Sequence, residues 1–117
     1  MTIEELYREI GGNYQSIRER LSTEERIDRF IRLFLKDNSY PAFVQAMEQG
    51  NKKEAFEAIH TLKGVCANLS LDALQQISSE ITEYLRADNM NEAMAALPRL
   101  RECYEKHIRS ICTYAGI

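Results

Sequence analysis

The sequence predicts an all-α protein, and three observations carry that expectation. Apolar residues recur at helical spacing along nearly the whole chain, and Ser, Thr or Asn precedes most of these stretches as a start signal. Turn residues are scarce: five Gly and two Pro in 117 residues are too few for the tight turns of an all-β domain. Hydrophobic residues make up 44% of the chain, enough to fill one core, and this length fits one domain. The most economical arrangement is an up-down antiparallel four-helix bundle with short additional N-terminal helices. Residues 1–117 are then one helical domain, with the N-terminal helices in 1–37 and the histidine-bearing helices and bundle core in 38–115.

Thr2-Ile3-Glu4-Glu5 is a capping box, and Gly11-Gly12 stops the short helix it opens. Ser22-Thr23-Glu24-Glu25 opens the next helix, with Ile27, Phe30, Ile31, Phe34 and Leu35 as its apolar positions. Asn38-Ser39 ends that element and caps another. Pro41 stands in its first turn, where a missing N–H costs nothing. Phe43, Val44 and Met47 form the inner stripe there, and Gly50 terminates it. Asn51 caps a long helix running to about Asn68. Ser70 caps the following one, whose inward residues are Leu74, Ile77, Ile81, Tyr84 and Leu85. Asp88–Asn91 reads as a turn. The last helix places Met94, Leu97, Leu100, Cys103, Tyr104, Ile108 and Ile111 on one stripe. Pro98 inside it removes the bond to the Met94 carbonyl, so a kink or a late start is expected.

The formal net charge is −3 and basic residues are dispersed, which argues against nucleic acid as a partner. Met1 leads into a polar helical pattern without an apolar leader, and no segment approaches the roughly 20 apolar residues that span a bilayer. Cys66, Cys103 and Cys112 are an odd number at unrelated spacings and read as reduced thiols of a cytoplasmic protein. Cys103 and His107 share a helix face, but two ligands do not make a zinc site, so no metal and no cofactor are expected. The dispersed charge suggests a monomer.

His60 is the most informative residue. Successive residues turn by about 100° around a helix. With His60 at zero, Ala55, Ala58, Ile59, Leu62, Val65, Cys66 and Leu69 fall on the opposite half of the wheel and must face the core. His60 therefore points to solvent. Lys63, Gly64, Ala67 and Phe56 lie within about 60° of it. Glycine inside a helix costs about 1 kcal/mol relative to alanine. No cap is needed before Asn68, so close approach by another molecule is the reason that offsets the cost. Phe56 either packs under a neighbouring helix or joins a docking surface with Asn68. An imidazole near neutral pH keeps one ring nitrogen as a free lone pair, which can attack phosphorus. Lys63 can offset charge on the phosphoryl oxygens, while Gly64 and Ala67 leave room for the donor. Phosphoryl transfer needs little beyond positioning and charge stabilisation.

His60-Thr61-Leu62-Lys63-Gly64, followed by Val65-Cys66-Ala67-Asn68-Leu69-Ser70, resembles the signature of histidine-containing phosphotransfer (HPt) domains. Helix order and length resemble a stand-alone protein of that family. The resemblance implies a four-helix bundle with His60 as phospho-acceptor, Lys63 as its charge partner and Gly64 as the clearance residue. It implies receiver domains of response regulators, or hybrid sensor kinases, as partners, and no ATP site. Ser70 stands where the family often has glycine, and Cys66 and Ala67 replace residues commonly Ala or Ser and Gly.

Other functions fit less well. Glu57-Ala58-Ile59-His60 has the Glu-x-x-His spacing of di-iron bundles, but those sites need a second such motif and all ligands pointing inward. A sensor-kinase fragment requires glycine-rich ATP-binding boxes, and no Gly-x-Gly run is present. The remaining alternative is a helical interaction module of the same fold whose His60 is not phosphorylated.

Overall fold

Seven helices and no strand make up the computed structural model, which describes all 117 residues. In chain order they are α1 (Ile3–Glu9), α2 (Tyr14–Leu21), α3 (Glu24–Phe34), α4 (Ser39–Glu48), α5 (Lys52–Asn68), α6 (Asp72–Arg86) and α7 (Met90–Ala115). One hydrophobic core draws on all of them, including Leu6, Ile17, Ile31, Phe43, Leu62, Leu74 and Leu100. α5 packs most extensively on α4 and α6, and α6 packs on α7, so the histidine-bearing helix sits between two neighbours with one face free.

Most starts and stops follow from caps. Thr2 forms the capping box with Glu5, and Asn51 accepts the Glu54 N–H at 3.1 Å at the head of α5. Gly50 takes the left-handed conformation that ends α4. Thr23, not Ser22, is the cap of α3, and Ser22 adopts φ +69 in the preceding turn. Asn38 makes no side-chain cap for α4; the Asp37 carboxylate accepts the Ser39 N–H instead, at 3.0 Å.

Several expectations change. α2 has no counterpart in the sequence reading, because Ile17 is its only buried residue and its apolar periodicity is correspondingly thin. Phe30 and Met94 project into solvent rather than the core. α7 begins at Met90, with Asn89 accepting the Glu92 N–H, so the expected turn ends two residues earlier than its sequence suggests. The helix then continues through Pro98, which excludes a late start. Pro98 and Met94 are both exposed, so water can satisfy the Met94 carbonyl that Pro98 leaves free. The inner stripe of α7 consists of Ala93, Ala96, Leu100, His107, Ser110 and Ile111.

Ser70 is the largest correction. It does not cap α6; Leu71 occupies that position without a side-chain cap. Ser70 is buried in the left-handed region at φ +54 and belongs to a clamp on the α5–α6 turn. Its carbonyl accepts the Asn13 N–H at 2.9 Å, and its hydroxyl hydrogen-bonds Ser16 Oγ at 2.9 Å. The buried Tyr7 hydroxyl donates to the Leu69 carbonyl at 2.8 Å, and the Ala73 N–H donates to the Gly11 carbonyl at 3.2 Å. Helix ends leave carbonyls unsatisfied, and here α1 and the α1–α2 turn supply the donors for α5. Gly12 makes that approach possible, since a Cβ there would lie 2.6 Å from the Tyr7 ring and 3.2 Å from the Ser70 carbonyl.

At the other end of α5, Lys52 pairs with Asp88 in the α6–α7 turn. α3 and α4 are held to α7 by aromatic contacts. The Tyr40 and Tyr104 rings stack at 3.9 Å, and Phe34 lies 6.1 Å from Tyr104. Tyr114 donates to the Asp28 carboxylate at 2.6 Å and ties the end of α7 to α3. No helix is long and apolar enough to cross a membrane.

Candidate functional site

α5 is amphipathic in the way its sequence requires. Ala55, Ile59, Leu62 and Cys66 are buried, whereas Glu57, His60, Thr61, Gly64 and Asn68 are exposed. His60 stands on the outward face. Of the two histidines in the chain, only His107 takes part in a hydrogen bond, so both ring nitrogens of His60 are free of protein partners. None of the surface depressions includes His60, so the imidazole is exposed outside any cleft of this chain.

The expected neighbours surround it unequally. Lys63 is half-buried, and none of the five ion pairs involves it, so its ammonium is uncommitted. A Cβ built on Gly64 would meet nothing within 4 Å, and the backbone there is ordinary helix. The chain's own packing therefore does not require glycine at this position. Ala67 is half-buried and Asn68, the last residue of α5, is exposed. Phe56 packs at the edge of the core, and its ring lies nearly parallel to the His60 imidazole, with centroids 5.8 Å apart and planes 15° apart. Of the two roles left open for Phe56, packing is the one seen within this chain. The Arg86 guanidinium, from the last residue of α6, lies 5.1 Å from the Phe56 ring centroid. Arg86 carried no sequence signal, because only the packing of α6 on α5 brings it there.

The exposed outer face of α5, with a free imidazole, an unpaired cation and an uncovered glycine, is suited to contact with another macromolecule. A sequence model of the Hpt domain matches residues 14–109 of the chain.

The chain belongs to the Hpt domain family.

Hpt domains are helical phosphocarriers of phosphorelays; they work with receiver domains and kinases and have no ATP site of their own. Comparison with curated proteins and with solved structures returns no match. The matched span begins at α2 and covers the whole of α3–α6 with most of α7.

The second histidine of this Hpt domain has a different environment. His107 is buried, 1% exposed, and its Nδ1–H donates to the Cys103 carbonyl at 2.8 Å. Nε2 then carries a lone pair with no partner. Burial pulls the His107 pKa below the usual imidazole value, with Lys106 adding to the shift. The Cys103–His107 pair seen on one helix face gains no further ligands, and no group of three or more His, Cys, Asp or Glu side chains is close enough to hold a metal ion. Burial pushes the thiols of Cys66 and Cys103 up, away from reactivity.

Proposed function

We propose that this Hpt domain is a phosphocarrier that accepts a phosphoryl group on His60 from the aspartate of a receiver domain and passes it to another receiver. One observation carries the reading: an exposed imidazole with no protein partner lies beside a helical glycine that the fold itself does not need.

In the transfer, the lone pair of one His60 ring nitrogen attacks phosphorus. The N–P bond forms as the acyl O–P bond breaks, and the electron pair of that bond leaves with the aspartyl carboxylate. The other ring nitrogen keeps its proton. Lys63, one turn along the helix, offsets part of the phosphoryl charge as a mobile cation. Gly64 and Ala67 keep the surface low, so that the receiver's active site reaches in-line distance. Asn68, at the exposed end of α5, lies on the rim of the contact. The magnesium site and the carboxylates that hold it belong to the receiver. The reverse reaction on a second receiver completes the relay. The chain acts as one unit, with residues 1–37 bracing the bundle of 38–115, as a cytoplasmic monomer.

Incubation with a phosphorylated receiver domain tests this reading. Label should appear on the chain as an acid-labile, base-stable adduct, and ATP alone should give none. Acid-resistant label, or none at all on the wild-type chain, contradicts it. Loss of label in His60→Gln assigns the residue.

A further inference from the structure

The His60 imidazole has an aromatic wall on one side and open space on the other. The wall is Phe56, stacked nearly parallel at 5.8 Å. The open side is Gly64, where a side chain would meet nothing within 4 Å. Helix geometry explains both. Side chains lean toward the helix N-terminus, so the imidazole leans over the turn that holds Phe56, four residues back, and away from Gly64, four residues ahead. Phe56 is itself restrained. It packs against the core, and the Arg86 guanidinium lies 5.1 Å from its centroid. Arg86 is in turn paired with Glu83 at 3.3 Å.

We infer that Phe56 is a positioning residue that orients the His60 imidazole for phosphoryl transfer, and that Arg86 holds Phe56 in place from α6. The inference rests on His60 being the phospho-acceptor. Reactive imidazoles are commonly oriented by a hydrogen bond to the second ring nitrogen. His60 has no such partner. An exposed side chain without restraint spreads over several rotamers, whereas in-line attack accepts only a narrow range of approach. A stacked ring restrains the imidazole by its face. The lone pair that attacks phosphorus lies in the ring plane, so stacking restricts rotation without covering the nucleophile. The ring face over Gly64 stays uncovered, so a docked donor has room beside the ring while its phosphorus meets the lone pair in the ring plane. Arg86 on the Phe56 ring makes the wall a feature of two helices rather than of one flexible side chain.

Three variants test this: Phe56→Leu, Phe56→Tyr and Arg86→Met. Leucine keeps apolar bulk but removes the flat face. Transfer from a phosphorylated receiver is measured across receiver concentrations, together with the NMR shifts of the His60 ring protons. In Phe56→Leu the saturating rate should fall about two- to tenfold, the range set by loss of an aromatic pair. The receiver concentration giving half the maximal rate should not change. The ring-current displacement of the His60 protons should vanish in Phe56→Leu, persist in Phe56→Tyr and shrink in Arg86→Met, with rates following the same order. Mere destabilisation does not produce that pairing of rate with ring current. An unchanged saturating rate in Phe56→Leu overturns the positioning role. A raised half-maximal concentration with the same saturating rate also overturns it, by making Phe56 part of the docking surface. A wild-type chain that takes no label overturns the phosphotransfer reading, and the positioning role with it.

Discussion

Gly64→Ala should make this protein more stable, and a larger side chain at the same position should make it slower. Gly64 lies four residues from the end of α5, in unstrained helix, and the space its Cβ would occupy is empty to 4 Å. Alanine there meets no clash and removes the conformational freedom that glycine gives the unfolded chain. The gain should approach the propensity difference of about 1 kcal/mol, or a rise of about 3–5 °C in Tm for a domain of this size. Thermal and urea unfolding followed by far-UV circular dichroism measure it. Gly64→Gln gains less helix stability but places a long side chain beside the imidazole. If a docked receiver fills that space, overpacking costs about 1–3 kcal/mol, which slows transfer roughly five- to hundredfold. The two readouts should move in opposite directions. A destabilised Gly64→Ala would mean that the fold requires the glycine. Transfer by Gly64→Gln at the wild-type rate would mean that no partner approaches there.

His60→Gln should abolish phosphoryl acceptance with unfolding free energy within about 0.5 kcal/mol of wild type, because the exposed side chain contributes little to the core; urea titration and labelling check the two halves. Lys63→Ala should slow transfer or shorten the lifetime of the phosphorylated form only modestly, since the ammonium is one mobile cation with no fixed partner, and a decay time course reads it. His107 should make the fold acid-sensitive. Burial holds its folded pKa below that of the unfolded chain, near 6.5. Above that value both states are neutral and nothing is lost. As pH falls from there toward the folded pKa, the unfolded chain binds a proton that the folded chain does not, and stability declines by up to about 1.4 kcal/mol per pH unit. Urea unfolding at several pH values should show that slope in wild type and its loss in His107→Phe; equal slopes would contradict the assignment. Tyr114→Phe removes the hydrogen bond that does most to hold the Asp28 carboxyl below its usual range, with Arg32 contributing less. The Asp28 pKa should rise on NMR titration, and stability should fall by about 1 kcal/mol.

The sequence by itself determined the helical class, the extent of α5 and the outward direction of His60. Those properties are local. Periodicity sets which side of a helix is buried, and caps such as Thr2 and Asn51 act within one turn. Gly64 was legible as an anomaly for the same reason, since a propensity cost needs no knowledge of neighbours. Contacts between distant segments were not legible. α2 carries a single buried residue, too little apolar pattern to announce a helix. Ser70 has the composition of a cap but is fixed in the left-handed region by partners 54 and 57 residues away, Ser16 and Asn13. Arg86 meets Phe56, and His107 loses its solvent, only because helices remote in the sequence close over them. Local spacing decides which way a side chain points; only packing decides what it meets there, because that depends on the position of every other helix.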